Sequence, residues 1–235
     1  MSERILGILG EGFGKIMLAS IEVTIPLTVL GFTFAMIIAL VMAMVQYAKI
    51  PILSQISRIY IWLFRGTPLL VQLFLAYFGL PKIGITLDAF PCAVLVFSLN
   101  EGAYCAETMR AALEAVPSGQ VEAGYCSGLN YIQIMFHIVL PQAFRTAFPP
   151  LSNSVIAMLK DTSLAAEITV ADMFMSAQKI VGRTYEPLWL YSEVALVYLM
   201  FSTILTIIQR IMEKRLNAYN TKSIDTNLTK RRRFF

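Results

Sequence analysis

Six residues of this sequence carry polar chemistry where apolar surroundings make it costly. Asn100 and Glu101 interrupt an apolar stretch from about 89 to 109, and Lys160, Asp161, Thr162 and Ser163 interrupt another that begins at Pro149-Pro150. A charge inside a membrane span costs about 2.5–3.5 kcal/mol on insertion scales, so each is a candidate functional residue. Glu101 lies about 18 Å along a helix from the start of its stretch, and Lys160 about 16 Å. Both depths reach the middle of a hydrocarbon core about 30 Å thick. An anion and a cation at matching depth suit the ammonium and carboxylate of a zwitterion. Asn100, Asp161, Thr162 and Ser163 would add hydrogen bonds, on backbone made irregular by Thr162-Ser163, which membranes tolerate only beside a cavity. The bland alternative is an internal Glu101–Lys160 salt bridge that sets packing. A path without selectivity of its own is another.

Covalent catalysis has no residues to use. The chain has one histidine, His137, and three cysteines, Cys92, Cys105 and Cys126. They make neither a metal cluster nor a nucleophile–base pair nor a disulfide framework. Gly10-Glu-Gly12-Phe-Gly14-Lys15 departs from a phosphate loop, because Leu9 stands at the first glycine position and Ile16 follows the lysine. Any ATP that drives this chain is bound by a partner.

The elements that must position these residues follow from composition. Of 235 residues, 57% are apolar and 14% charged, against about 25% charged in soluble domains. This excludes an ordinary soluble enzyme and a disordered chain, and it points to an all-α membrane protein. Apolar stretches at about 23–45, 59–80, 89–109, 149 onward and 187–209 predict five spans, with Pro149-Pro150 and Pro187 at first-turn positions. An outside N-terminus leaves Arg4, Lys15, Lys82, Lys160, Lys179 and Arg183 outside or near the midplane; the remainder of the 19 Lys and Arg then lie inside. The positive-inside rule therefore predicts N-out and C-in. Residues 1–216 read as one transmembrane domain and 217–235 as a basic cytoplasmic tail ending Lys230-Arg-Arg-Arg-Phe-Phe235.

The segment from about 110 to 148 is too long for an idle connection. It reads Gln120-Val-Glu122-Ala123-Gly124-Tyr-Cys-Ser-Gly128, then nine residues, then Ile138-Val-Leu140-Pro141. This resembles the EAA loop of ABC importer permeases, with Gly124 in place of the second alanine. Phe64-Arg-Gly-Thr-Pro-Leu-Leu-Val-Gln72 and Lys160-Asp-Thr-Ser-Leu164 resemble the polar amino acid branch of that family. The likeness runs from about 15 to 215.

The resemblance implies the type I importer permease fold and a multi-pass place in a bacterial inner membrane. It further implies a second permease subunit, identical or homologous, two ATP-binding subunits that hold ATP and Mg, and an external solute-binding protein. A helix bearing Glu122 and Ala123, a turn at Gly128 and a second helix ending at Pro141 would form a knob that docks on the ATPase. Glu122 would offer its carboxylate to a donor there, and the small pair Ala123-Gly124 would permit close approach. Basic, acidic, amide and sulfur amino acids such as cystine all remain as substrates. The rival class is a self-sufficient secondary transporter or channel, which needs paired inverted repeats; five spans show none.

Overall fold

The computed structural model describes residues 2–231, with side chains for 3–216, and every regular element in that range is helical. In order these are α1 (Ser2–Ala19), α2 (Ile25–Tyr47), α3 (Pro51–Gly66), α4 (Leu69–Phe74), α5 (Ala89–Glu114), α6 (Ser118–Cys126), α7 (Tyr131–Ile134), α8 (Leu140–Asp161), α9 (Met173–Thr184) and α10 (Pro187–Arg231). The cations of the tail beyond Arg231, and the side chains from 217 onward, lie outside the described residues.

Among the described residues, three helical runs are long and apolar enough to cross a membrane: Glu3–Tyr47, Ala89–Glu114 and Pro187–Leu216. The pair Pro51–Gly66 and Leu69–Ile83, bent by 104°, makes a fourth if taken as one broken span. Five were expected. The difference is α8, in which Arg145, Thr146, Asn153, Lys160 and Asp161 interrupt the apolar run. The first span also begins earlier than its apolar run. Its 45 residues reach about 68 Å, more than twice the hydrocarbon thickness.

Small residues set the centre of the packing. Gly31, Ala35, Ala39 and Ala43 recur every fourth residue on α2, and all are buried. They face α5, where Gly102, Ala103 and Ala106 are likewise buried. With no aqueous driving force in lipid, close backbone approach is what holds helices together, and small residues allow it. A β-carbon built on Gly102 would stand 3.0 Å from the Tyr60 hydroxyl and 3.1 Å from Ile38 Cγ2. Ser98 adds a hydrogen bond across the seam to the Gly31 carbonyl (3.2 Å).

Three prolines are absorbed into helical runs, among them Pro141, which was expected to end a helix. Pro26, Pro81 and Pro141 each stand two residues after a π-helical turn, at Ser20–Thr24, Leu75–Gly79 and Met135–Val139. Proline offers no N–H and crowds the preceding turn; a widened turn relieves both. Pro141 therefore does not end the second loop helix. The chain runs helically from Tyr131 through the π turn and α8 to Asp161. Pro149 and Pro150 lie inside α8 rather than in a first turn.

Candidate functional site

The loop between α5 and α8 folds as a compact knob. Gly128 ends α6 with φ +80°, a left-handed conformation that glycine adopts without strain. Around it the Leu129 N–H donates to the Gly124 carbonyl (3.1 Å) and the Gly128 N–H to the Tyr125 carbonyl (2.9 Å). This is a Schellman closure of the helix end. Asn130 then starts α7 with a capping box: Asn130 Oδ1 accepts from the Gln133 N–H and Gln133 Oε1 from the Asn130 N–H, both 2.9 Å. Two helix ends a few residues apart are thus saturated by local hydrogen bonds, which fixes their mutual angle.

Packing locks the two arms. Gly124 is buried, and a β-carbon there would lie 2.8 Å from Ile134 Cγ1 and 3.1 Å from Ile138 Cδ1. The glycine that departs from the family motif is therefore the one that lets α6 close on the second arm. Glu122 and Ala123 are exposed on the outer face of α6. Tyr125, Tyr131, Ile132 and Phe136 of the same loop are exposed too. Leu140 is half-buried and Pro141 exposed where the arm passes into α8. His137 is exposed, with Nδ1 at 2.9 Å from the Gln133 carbonyl.

Behind the knob, Arg110 forms ion pairs with Glu107 and, at 2.6 Å, with Glu114. The Arg65 guanidinium lies 5.3 Å from the centre of the Tyr104 ring, within cation–π range.

The intramembrane residues divide into two groups. Asn100 is buried and bound to the bend between α3 and α4. Its amide donates to Gln72 Oε1 (3.0 Å) and to the Phe64 carbonyl (3.2 Å). Gln72 in turn donates to the Phe64 carbonyl (2.9 Å) and to Thr67 Oγ1 (2.7 Å). Pro68 cannot continue the helix, so the last carbonyls of α3 lack donors. In an apolar setting each unmet carbonyl is costly, and these two amides meet them. Asn100 thus holds the bend.

Glu101 is half-buried where α5 meets α8. Cys105 donates to it (3.6 Å), and Ser154 lies beside its carboxylate. Glu101 and Lys160 form no ion pair with each other. Lys160 and Asp161 are both exposed at the end of α8. The chain then tightens into a 3-10 helix over Thr162–Ile168, longer than such runs usually are. Thr162 is buried and donates to the Leu159 carbonyl (2.7 Å), and Ser163 donates to the Lys160 carbonyl (2.9 Å). Lys160 and Ser163 line an open cavity of about 580 Å³ between this segment, α9 and α10.

Sequence reasoning did not select Gln72 or the residues of α9 and α10 on this cavity. Two signals were present: Gln72 closes the Phe64–Gln72 motif, and Asp172 directly precedes the apolar run Met173-Phe-Met175, the pattern of a helix cap. Asp172 does cap α9, accepting from the Met175 N–H (2.8 Å).

Residues 31–218 match the family described as binding-protein-dependent transport system inner membrane component. The chain is 45% identical over 213 residues to the L-cystine transport system permease protein TcyB of Bacillus subtilis, covering 90% of this chain and 91% of that protein. It is 35% identical to a probable glutamine ABC transporter permease protein of the same organism, over 91% of this chain and 96% of the relative. Among solved structures, an amino acid ABC transporter crystallised with histidines superposes with a TM-score of 0.81 at 32% identity, covering 86% of this chain and 94% of that one. The MetNI methionine ABC transporter, in an inward-facing conformation, shares the fold at a TM-score of 0.71 and 16% identity, over 92% and 99% of the two chains.

Proposed function

This chain belongs to the binding-protein-dependent transport system inner membrane component family, and we propose that it imports polar amino acids, cystine foremost, at the expense of ATP hydrolysed by a partner. Its relatives are permease subunits of amino acid ABC transporters and not enzymes in themselves. The inner membrane is their setting.

The observation that carries the proposal is the knob. Its two arms are closed by a Schellman turn, a capping box and the Gly124 contact, and they leave Glu122, Ala123, Tyr125, Tyr131 and Phe136 exposed. A rigid body with an exposed, partly apolar docking face transmits displacement from a partner, where a flexible loop would dissipate it. In our reading two ATP-binding subunits, which hold ATP and Mg, dock on the knobs of two permease subunits, identical or homologous. A solute-binding protein delivers substrate from outside. This requires the knob and C-terminus inside and the N-terminus outside, the orientation favoured by the cation distribution. Closure of the ATPases moves the knobs, and α8, continuous with the second arm, carries the movement to Glu101, Lys160 and Asp161.

Those residues form the proposed substrate path. Lys160 takes the α-carboxylate, Glu101 and Asp161 take the ammonium, and Thr162 and Ser163 shape the 3-10 turn between them. Asn100 acts there by holding the bend. Cystine leads because the relative 45% identical over 90% of this chain is named for cystine transport.

Co-purification tests the reading. The tagged chain is expected to bring down an ATP-binding subunit, with Glu122→Ala weakening the complex. Glu101→Gln is expected to leave assembly and ATP hydrolysis in place while cutting uptake. A chain that purifies alone and moves substrate into liposomes without ATP would overturn it.

A further inference from the structure

We propose that Phe174 and Tyr191 form the side-chain platform of the Lys160 cavity, and that this platform selects amino acids whose side chains bear an uncharged sulfide or disulfide over basic and acidic ones. The proposal rests on reading Lys160 as the anchor for the substrate carboxylate.

The two rings come from different helices, Phe174 in the first turn of α9 and Tyr191 near the start of α10. Their centroids lie 5.8 Å apart at an interplanar angle of 23°, so the two rings stack on one another where α9 meets α10. Both line the cavity that Lys160 and Ser163 also line. Asp172 fixes Phe174 by capping the helix that bears it.

The charge around the cavity is one-sided. Lys160 is the sole Lys, Arg, Asp or Glu on its lining and has no ion pair within 4 Å among the described residues. None of the nearby carboxylates is on the lining. Asp172 is fully buried and accepts from the Met175 N–H. Glu193 lies against Gly12 of α1, where a β-carbon would come within 2.8 Å of its Oε2. Asp161 and Glu101 are not on this lining, and in the proposed path both are taken by the α-ammonium.

A basic side chain entering beside the rings finds no counter-charge on this lining, and desolvating it there is unfavourable. An acidic side chain competes with the α-carboxylate for the single lysine. An uncharged, polarisable sulfur meets neither penalty and gains a contact with the ring edges. Cystine, a disulfide, falls in this class.

The test uses the reconstituted permease–ATPase complex with ATP, its binding protein omitted so that discrimination by the membrane path is read directly. Labelled cystine binding is competed with S-methylcysteine, norvaline, arginine and glutamate. In the wild type, S-methylcysteine is expected to compete better than norvaline, and both better than arginine or glutamate. Phe174→Leu and Tyr191→Leu are expected to weaken the sulfur ligands by about two- to tenfold, the size of a sulfur–arene contact, while norvaline competition holds. Phe174→Tyr keeps a ring and is expected to keep the preference, and Lys160→Gln is expected to weaken every ligand. Preference for arginine or glutamate in the wild type, equal loss for sulfur and norvaline in the ring variants, or no amino acid binding without the binding protein overturns the platform. Failure of the complete system, binding protein included, to take up any amino acid overturns the importer reading itself.

Discussion

Gly124→Ala restores the alanine that the family motif carries at this position, and the structure predicts that the restoration damages the knob. The new methyl would stand 2.8 Å from Ile134 Cγ1 and 3.1 Å from both Ile134 Cδ1 and Ile138 Cδ1. Relaxed carbon contacts lie at about 3.5–4.0 Å, so the arms must part by several tenths of an ångström. Ile134 is 1% exposed and, being β-branched in a helix, has one strongly preferred rotamer. It cannot turn aside.

Overpacking of this kind costs about 1–3 kcal/mol. Replacing glycine by alanine in a helix returns about 1 kcal/mol. The balance is a loss of up to about 2 kcal/mol in the closure of α6 on α7, or up to about 30-fold faster amide exchange across 118–139. Ile134→Ala removes two of the three clashing carbons, the closest among them, and leaves Ile138 Cδ1. In a double-mutant cycle the alanine at 124 should then fill part of the space left at 134, giving a favourable coupling of about 1 kcal/mol or more. Hydrogen exchange on the assembled complex measures all four corners. Additive effects, or slower exchange in Gly124→Ala alone, would refute the packing argument.

Two further substitutions probe the positioning elements. Gly128→Ala forces a side chain into φ +80° and should cost about 1–2 kcal/mol, seen as faster exchange in the knob, whereas Gly128→Asn, better tolerated there, should cost less. Gln72→Leu leaves Thr67 Oγ1 without its donor and the Phe64 carbonyl with Asn100 alone. It should cost about 1–3 kcal/mol and lower the midpoint of thermal unfolding of the purified complex; Gln72→Glu, which keeps the acceptor for Asn100 and loses the donor, should not rescue it.

Much of this was legible in the residues. Low charge showed the membrane, and Glu122 through Pro141 marked the knob, because a docking surface built on fixed turns leaves glycine and proline at fixed places. The arms' junction was not legible. Pro141 reads as a helix stop, and nothing local tells that Met135–Val139 widens to accommodate it. The helical start of the chain was masked by Glu3, Arg4, Glu11 and Lys15, although Ile16 and Ser20 beyond them are fully buried against the rest of the fold. The four-residue spacing of Gly31, Ala35, Ala39 and Ala43 was present, but inside a continuous apolar run it carries no contrast. In the candidate path, Asn100 looked free because its partners Gln72 and Phe64 are distant in sequence and meet it only after the chain bends by 104°. Phe174 and Tyr191 lie on segments whose charges and turns gave no sign that they share a cavity.

The most direct test of the central claim is uptake of labelled cystine into proteoliposomes that hold the full complex, with binding protein outside and ATP inside. The account predicts concentrative uptake that needs ATP, the binding protein and an intact Lys160, and that Glu122→Ala reduces in step with loss of the bound ATPase. Equal cystine uptake by this chain alone, without ATP, would contradict it.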